Sequence, residues 1–191
     1  MTDLSRYTLT PLREEELFEA VALCDECVGR NMYSAEELSC AIDSEERFFY
    51  LLRSDDGMAV GYVYFYMTDI RAVAKKAKLD VKTLKAVCPR NCVRAGQLQS
   101  IGIKEEYRRT GLSAKLIKLV EEKLNTDVIF VICWKMGERI PLSRPLKACG
   151  YTFLAEAVKV WNDHEHLHCS YCNGRCECDA HIYYKLTDRS M

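Results

Sequence analysis

The stretch with the richest chemistry runs from Ile101 to Ser113 and reads Ile-Gly-Ile-Lys-Glu-Glu-Tyr-Arg-Arg-Thr-Gly-Leu-Ser. It lies between a predicted strand and a predicted long amphipathic helix. The first turn of a helix has N–H groups without a partner, and the positive end of the helix dipole lies there too. A glycine at this turn, here Gly111, lets phosphate oxygens approach the main chain with no Cβ in the way. The stretch therefore predicts a site for a phosphate or a pyrophosphate.

Two well-known phosphate loops do not account for this site. The sequence contains no G-x-x-x-x-G-K-[ST] motif, and it contains no G-x-G-x-x-G with an acidic residue beyond the next strand. Those motifs mark P-loop NTPases and dinucleotide-binding folds. Neither class of protein fits the sequence.

A second group of residues with chemical potential is a cysteine cluster near the C-terminal end of the sequence. Four of the eleven cysteines fall close together, namely Cys169, Cys172, Cys176 and Cys178. In a reducing compartment such clustering suggests a metal before disulfides. Four thiolates suit zinc, and the ion would be structural because four protein sulfurs leave no open position for a substrate. Gly174 is expected to provide the tight turn that gathers them.

Other interpretations of the cysteine cluster stay open. Four histidines flank it and would allow a mixed site, namely His164, His166, His168 and His181. Free or redox-active thiols are one alternative to a metal, and disulfides are another. The spacing differs from the paired C-x-x-C motifs of a zinc ribbon.

The loop around Gly111 resembles the acyl-CoA loop of the GNAT acetyltransferase superfamily. The pattern of that loop is Arg or Gln, two residues, Gly, one residue, then Gly or Ala, and the matching positions here are Arg108, Gly111 and Ser113. Ser113 is a small substitute for the last Gly. Four surrounding features also match the family, namely Ile101-x-Ile103, Glu106-Tyr107, the helix with Leu116, and Gly150-Tyr151 in place of the usual Gly-Phe. The resemblance covers nearly the whole chain.

The resemblance implies which residues hold acetyl-CoA. Main-chain N–H groups from Arg109 to Ser113 would bind the pyrophosphate, and Ile101 to Ile103 would pair along the pantetheine arm. The full implied set is Ile101, Gly102, Ile103, Arg108, Arg109, Thr110, Gly111, Leu112 and Ser113. Hydrogen bonds to a charged acceptor contribute roughly 1.5 to 3 kcal/mol each, so the loop would be a main source of cofactor affinity.

The resemblance also implies an N-acetyltransferase that moves an acetyl group from acetyl-CoA to an amine of an unidentified acceptor, a small molecule or a protein. The acid and base that such a transfer uses stay open. Leu146 stands where the family often has a catalytic Tyr, and the strand before the loop carries Gln97 and Gln99 but no Glu. The candidate acids are Tyr64, Tyr66, Tyr183 and Tyr184. The alternative is a non-catalytic acyl-CoA-binding or interaction module with a structural metal loop.

The remaining sequence predicts the elements that position the loop. Arg47 to Arg53 and Met58 to Met67 flank an Asp-Gly turn signal and predict an antiparallel hairpin. Val93 to Ile103, the helix opened by Gly111 and the apolar run Val128 to Trp134 predict a β-α-β unit with parallel strands.

One irregularity and three further elements complete the sequence prediction. Leu98 and Ile101 are three residues apart, so both reach one face of the sheet only if a β-bulge lies between them, and the bulge would splay this strand from the next. Asp69 is expected to cap a helix that runs past Leu84. Late strands are expected over Tyr151 to Trp161 and His181 to Leu186. The predicted fold is α/β with a mixed α+β sheet of six or seven strands, an antiparallel N-terminal part, a central β-α-β acyl-CoA unit and helices on both faces.

Length and composition exclude several classes of protein. The chain has 191 residues, 49% of them hydrophobic, and a net charge of −1, a globular composition that predicts one domain over 1–191 with a Cys-rich loop at about 162–180. Its apolar runs are shorter than the roughly 20 residues that cross a bilayer. The N-terminus lacks a secretion signal, so we expect the cytoplasm, and we expect a monomer or a homodimer.

A basic stretch raises the question of nucleic acid. Between Arg71 and Arg90 the sequence has seven Lys or Arg residues and one Asp. Because the basic residues are interleaved with an amphipathic apolar face, we interpret them as a solvated helix surface. Nucleic acid is therefore not expected as a partner.

Overall fold

The computed structural model describes residues 4–89, 92 and 94–187. At its centre lies a seven-stranded sheet in which all neighbouring strands are antiparallel except the parallel central pair β5 and β6. The strands in spatial order are β1 (Thr8–Pro11), β3 (Arg47–Arg53), β4 (Ala59–Thr68), β5 (Ala95–Ile103), β6 (Val128–Lys135), β10 (Asp179–Leu186) and β7 (Thr152–Ala157). A small second sheet consists of β2 (Gly29–Arg30), β8 (His168–Cys169) and β9 (Gly174–Arg175). The predicted mixed sheet of six or seven strands is confirmed.

Helices cover both faces of the large sheet. They are α1 (Leu17–Cys27), α2 (Ala35–Ser39), α3 (Ile70–Ala77), α4 (Val81–Lys85), α5 (Leu112–Lys123) and α6 (Ser143–Ala148). Side chains alternate along the strands, so that Phe65 packs with the α5 and α6 cluster while Tyr64 packs with the α1 and α2 cluster on the opposite face. A third cluster lies under α3 and α4. Within the described residues, no helix combines the length and apolarity that a membrane span needs.

The predicted bulge is present in β5. Tyr64 of β4 lies opposite Ser100 and Phe65 lies opposite Leu98, so Gln99 is the extra residue. Because of it, both Leu98 and Ile101 contribute to the core beneath α5. The parallel pairing of β5 with β6 runs from Ala95 to Leu98 and stops there. From Gln99 onward the two strands therefore separate.

Two sequence expectations about element boundaries are wrong. The helix that Asp69 caps does not run on past Leu84, because Lys78 takes a left-handed conformation (φ 53°) and ends α3. Asp80 then caps α4 by accepting a hydrogen bond from Lys82 N. The expected strand over Tyr151 to Trp161 ends at Ala157 as β7.

The chain leaves the sheet after β7 for a local reason. Lys159 has φ 47°, and its N–H donates to Asp179 Oδ1 at 3.0 Å, which turns the chain away from β10. Val160 and Trp161 then bury their side chains against the cluster under α3. Val93, the first residue of the expected strand before the loop, lies outside the described residues, as does Arg90.

Gly102 in β5 provides a test of this packing. A Cβ there would come 2.3 Å from Tyr62 Cε1 and 2.6 Å from Cys27 Cβ, and the Tyr62 ring is fully buried. We expect Gly102→Ala to lower the free energy of unfolding by about 2 kcal/mol through overpacking, as measured by urea denaturation. Gly174→Ala is the control, since its Cβ would meet no atom within 4 Å. Equal stability of the two variants would contradict the packing described.

Candidate functional site

The loop between β5 and α5 has an unusual main-chain path. After β5 ends at Ile103, a single 3-10 turn leads into Arg109 and Gly111, which have φ values of 63° and 93°. Helix α5 begins directly after Gly111 at Leu112. Left-handed conformations are favourable for glycine and cost other residues energy, so Gly111 suits this position better than any residue with a side chain.

Hydrogen bonds from side chains to main-chain oxygens stabilise this loop and its contact with the N-terminal segment. Arg108 Nε donates to the main-chain oxygen of Ile103 at 2.8 Å, and Thr110 Oγ1 donates to that of Tyr107 at 2.6 Å. Lys115 Nζ donates to main-chain oxygens of the N-terminal segment, at 2.7 Å to Leu4 and 2.6 Å to Tyr7. The loop is therefore held in shape by its own side chains.

The loop also presents main-chain donors. Within the described part of the chain, none of the five N–H groups from Arg109 to Ser113 donates a hydrogen bond. The helical pattern starts only with Ala114, whose N–H donates to the oxygen of Gly111 at 3.0 Å. Among the described residues, the one atom that a Cβ at Gly111 would meet within 4 Å is Leu4 Cδ1, at 3.9 Å. Such a group of unpaired N–H donors at a helix start is an anion cradle.

The point where β5 and β6 separate borders a small polar cavity of about 20 Å³. Its lining comes from α3, from both strands and from the segment after β7, namely Lys76, Gln97, Gln99, Ile132, Val160, Trp161 and His164. A cavity of this size has room for about one water molecule or one ammonium group. It lies on the sheet face covered by α1 to α4, opposite the face covered by α5.

Gln99, the bulge residue, is the centre of a hydrogen-bond network beside this cavity. Its Oε1 accepts from Lys76 Nζ, from Gln97 Nε2 at 2.9 Å and from Tyr66 OH at 3.3 Å. Its Nε2 donates to Tyr33 OH at 3.0 Å, and Lys76 Nζ also donates to Tyr66 OH at 3.2 Å. The bulge thus links two strands, α3 and the connection between α1 and α2.

Burial changes the proton affinities in this network. Burial, together with the positive charge of Arg47, lowers the pKa of Lys76 to about 8. Burial raises the pKa of Tyr66 to about 12, with the neighbouring Tyr64 adding to the rise. Burial lowers the pKa of His164, with Lys76 adding to the fall. Of these groups, Lys76 can exchange a proton in mildly alkaline solution, whereas Tyr66 keeps its proton.

The four tyrosines that the sequence leaves as candidate acids have different surroundings in the structure. Tyr66 belongs to the Gln99 network, and the hydroxyl of Tyr64 accepts a hydrogen bond from Arg47 at 3.2 Å. Tyr183 is buried on the opposite face beneath α5, and Tyr184 packs against the cluster under α3. Leu146, in the place of the family's tyrosine, is completely buried in the α5 and α6 core.

Lys76 and Tyr33 are functional candidates that the sequence analysis missed. Most basic residues of the stretch after Arg71 are exposed, as the interpretation of a solvated surface requires, but Lys76 is directed inward. One sequence signal could have identified Lys76. It lies next to Ala77 and three residues after Val73, both fully buried, and is therefore at the edge of the apolar face of α3. Tyr33 follows the short strand β2, for which the sequence gives no periodic signal.

The four clustered cysteines come together in space. The Sγ atoms of Cys169, Cys172, Cys176 and Cys178 all lie within 4.8 Å of one another. Among the described residues, no histidine joins this group. The expectation for Gly174 is wrong, because the left-handed residue of the turn is Asn173, with φ 53°.

Solved structures of similar fold include a spermidine N-acetyltransferase. Arabidopsis thaliana NAA60 in complex with a bisubstrate analogue matches with a TM-score of 0.69 and 11% identity, over 95% of this chain and 98% of that one. Chaetomium thermophilum Naa20 in complex with a bisubstrate analogue matches with a TM-score of 0.66 and 16% identity, over 96% and 88%. A dodecameric spermidine N-acetyltransferase from Vibrio cholerae matches with a TM-score of 0.62 and 16% identity, over 98% and 97%. At these identities the likeness shows a shared fold.

Comparison at the level of sequence gives the family. No curated protein matches the chain significantly. The acetyltransferase (GNAT) family matches residues 11–133, a stretch that includes α1, strand β5, the whole of the loop around Gly111 and β6 up to Cys133. The chain belongs to the acetyltransferase (GNAT) family.

Proposed function

We propose that this protein is an N-acetyltransferase that transfers an acetyl group from acetyl-CoA to an amine. The observation that carries the proposal is the layout of β5. At one end, beyond Ile103, the strand leads to the five unpaired N–H donors, and in its middle, at Gln99, it separates from β6 beside a polar cavity. One extended ligand can therefore lie along β5 with its anionic part at the loop and its reactive end at the cavity.

The residues present fit acetyl-CoA. The N–H groups of Arg109 to Ser113 would hold the diphosphate, and the edge of β5 that β6 leaves unpaired, through Ile103, would pair with the pantetheine arm. Arg108 would serve by holding the loop on Ile103, since its Nε already donates there. These roles agree with the set that the sequence resemblance implies.

The Gln99 network fits the proton transfers. When bound, acetyl-CoA supplies the acetyl group as a thioester, from which an acceptor nitrogen displaces the CoA thiolate. We infer that the Lys76 ammonium is the proton donor to that thiolate, because its pKa of about 8 makes it a stronger acid than an ordinary lysine. Gln99 and Tyr66 orient Lys76 Nζ through their hydrogen bonds. The acceptor amine must lose its own proton to water or to another group.

The acceptor is best sought with a panel of amines. Because the proteins of similar fold include a spermidine N-acetyltransferase, the panel should contain polyamines. Peptides with free N-termini supply a second class of amine. Release of the CoA thiol from acetyl-CoA, followed with a thiol reagent, is the measurement. We expect release that depends on at least one amine and on the protein.

A non-catalytic acyl-CoA-binding module is the second candidate. It is favoured by Leu146, an apolar and fully buried residue where the family often has a tyrosine. Under that alternative the protein binds acetyl-CoA in calorimetry but releases no thiol with any amine of the panel. We further propose the cytoplasm as its location and a monomer or homodimer as its state.

A further inference from the structure

We propose that Cys169, Cys172, Cys176 and Cys178 bind one structural zinc ion through their four thiolates. Zinc with four sulfur ligands is tetrahedral with Zn–S distances of about 2.3 Å, so its ligand sulfurs lie roughly 3.8 Å apart. The Sγ of Cys178 lies 3.9 Å from that of Cys169 and 3.5 Å from that of Cys172. All four sulfurs lie within 4.8 Å of one another, close enough to serve as ligands of one ion.

The cluster differs from a pair of disulfides. A disulfide joins two sulfurs at about 2.0 Å and leaves each without a second sulfur partner. Here Cys178 Sγ is at contact distance from two other sulfurs, and all eleven cysteines of the chain are free thiols. Free thiols that each lie close to several other sulfurs are the arrangement expected for four ligands of one ion.

The main chain around the cluster is arranged to stabilise thiolates. The N–H of Cys172 is directed at Cys169 Sγ, and the N–H of Glu177 is directed at Cys172 Sγ, both at 3.5 Å. Such donors support metal-bound sulfur, which carries negative charge. The left-handed Asn173 reverses the chain between β8 and β9, so that two cysteines lie before the turn and two after it.

The segment that the ion would hold has little other regular structure. Between β7 and β10 it contains only β8 and β9, of two residues each. Three of the four cysteines are nevertheless buried, with exposed fractions of 4% or less. Small units with so little secondary structure are commonly stabilised by a metal.

The proposed ion would fix one wall of the polar cavity. Cys169 lies in β8, which pairs with β2 through Gly29, and β2 leads into Tyr33. The same segment between β7 and β10 provides Trp161 and His164 to the cavity. As the ion binds, the four thiols release their protons to solvent. The ion is structural because its four protein ligands fill the tetrahedron.

Metal analysis of the 191-residue protein, purified without added metal, tests the proposal. We expect about one equivalent of zinc per chain, and the metal-free protein refilled with Co²⁺ should show the charge-transfer and visible bands of tetrahedral sulfur coordination. Zinc far below one equivalent, together with no cobalt bands on refilling, would overturn the proposal. Neither readout depends on acetyl transfer, so this proposal and the proposed function fail separately.

A pair of variants tests the ligand assignment. Cys176→Ser should lose most of the zinc, whereas Cys40→Ser, which removes an exposed cysteine outside the cluster, should keep one equivalent. Full zinc in Cys176→Ser would contradict the assignment. If Cys176→Ser fails to fold, a thiol count on the denatured wild-type protein decides the question. Eleven thiols after removal of one equivalent of zinc support the site, and two fewer thiols for each disulfide would overturn it.

Discussion

Gly111→Val is expected to weaken CoA binding by about 100-fold, which corresponds to the loss of one or two hydrogen bonds to a charged acceptor. Gly111 has φ 93°, a conformation that a β-branched residue avoids, so the variant must change the path of the N–H groups around it. The fold should survive, because within the described ranges a Cβ at this position would meet only Leu4 Cδ1, at 3.9 Å. Isothermal titration calorimetry with CoA measures the effect.

The turn between β3 and β4 offers a matched control. Gly57 also has a positive φ, 82°, and a Cβ there would meet no atom within 4 Å. Gly57→Val therefore introduces similar backbone strain in a different turn, and its CoA affinity should equal that of the wild type. If both variants lost affinity alike, or if neither did, the role given to the N–H groups around Gly111 would be wrong.

Lys76→Met is expected to lower kcat by about 100-fold at neutral pH, at the lower end of what a general acid contributes. The wild-type rate should have a descending limb with a midpoint near pH 8, where Lys76 loses its proton. In Lys76→Met that limb should be absent. The KM for acetyl-CoA should change little, because the diphosphate contacts are elsewhere. Steady-state kinetics across pH 6.5 to 9.5 measures the three expectations.

The exposed neighbour Lys75 provides the control, and Lys75→Met should retain the rate and the pH profile of the wild type. Stability gives an independent readout. The pKa of Lys76 is lowered from 10.5 to about 8 in the folded protein, so between these values the unfolded chain binds more protons and the free energy of unfolding rises with pH. This Lys76 contribution should vanish in Lys76→Met. A wild-type descending limb that persists in the variant would contradict the proposed acid.

The sequence was sufficient for the elements whose signal is local. The hairpin of β3 and β4 follows from its alternating apolar residues and turn, and the bulge follows from the spacing of Leu98 and Ile101. The turn before α5 follows from a glycine at a helix start. In each case the physical cause lies within a few residues, so the sequence alone expresses it.

The features that sequence reasoning missed depend on distant contacts. Lys78 ends α3 in a left-handed conformation although lysine has no preference for it, and its Nζ donates to the main-chain oxygen of Lys159, 81 residues away, at 3.1 Å. The inward direction of Lys76 depends on Gln99, which lies 23 residues away. Tyr33, in the connection between α1 and α2, lies 66 residues before Gln99 and accepts a hydrogen bond from its Nε2. The spacing of apolar residues within one segment does not predict that three separate segments meet at Gln99.

The most direct measurement of the central claim is a crystal structure of the 191-residue protein with CoA. We expect the diphosphate oxygens within hydrogen-bond distance, about 3 Å, of main-chain nitrogens between Arg109 and Ser113, and the pantetheine arm along β5 beyond Gln99. Binding of CoA at another place on the molecule, with these five N–H groups still unpaired, would contradict the account.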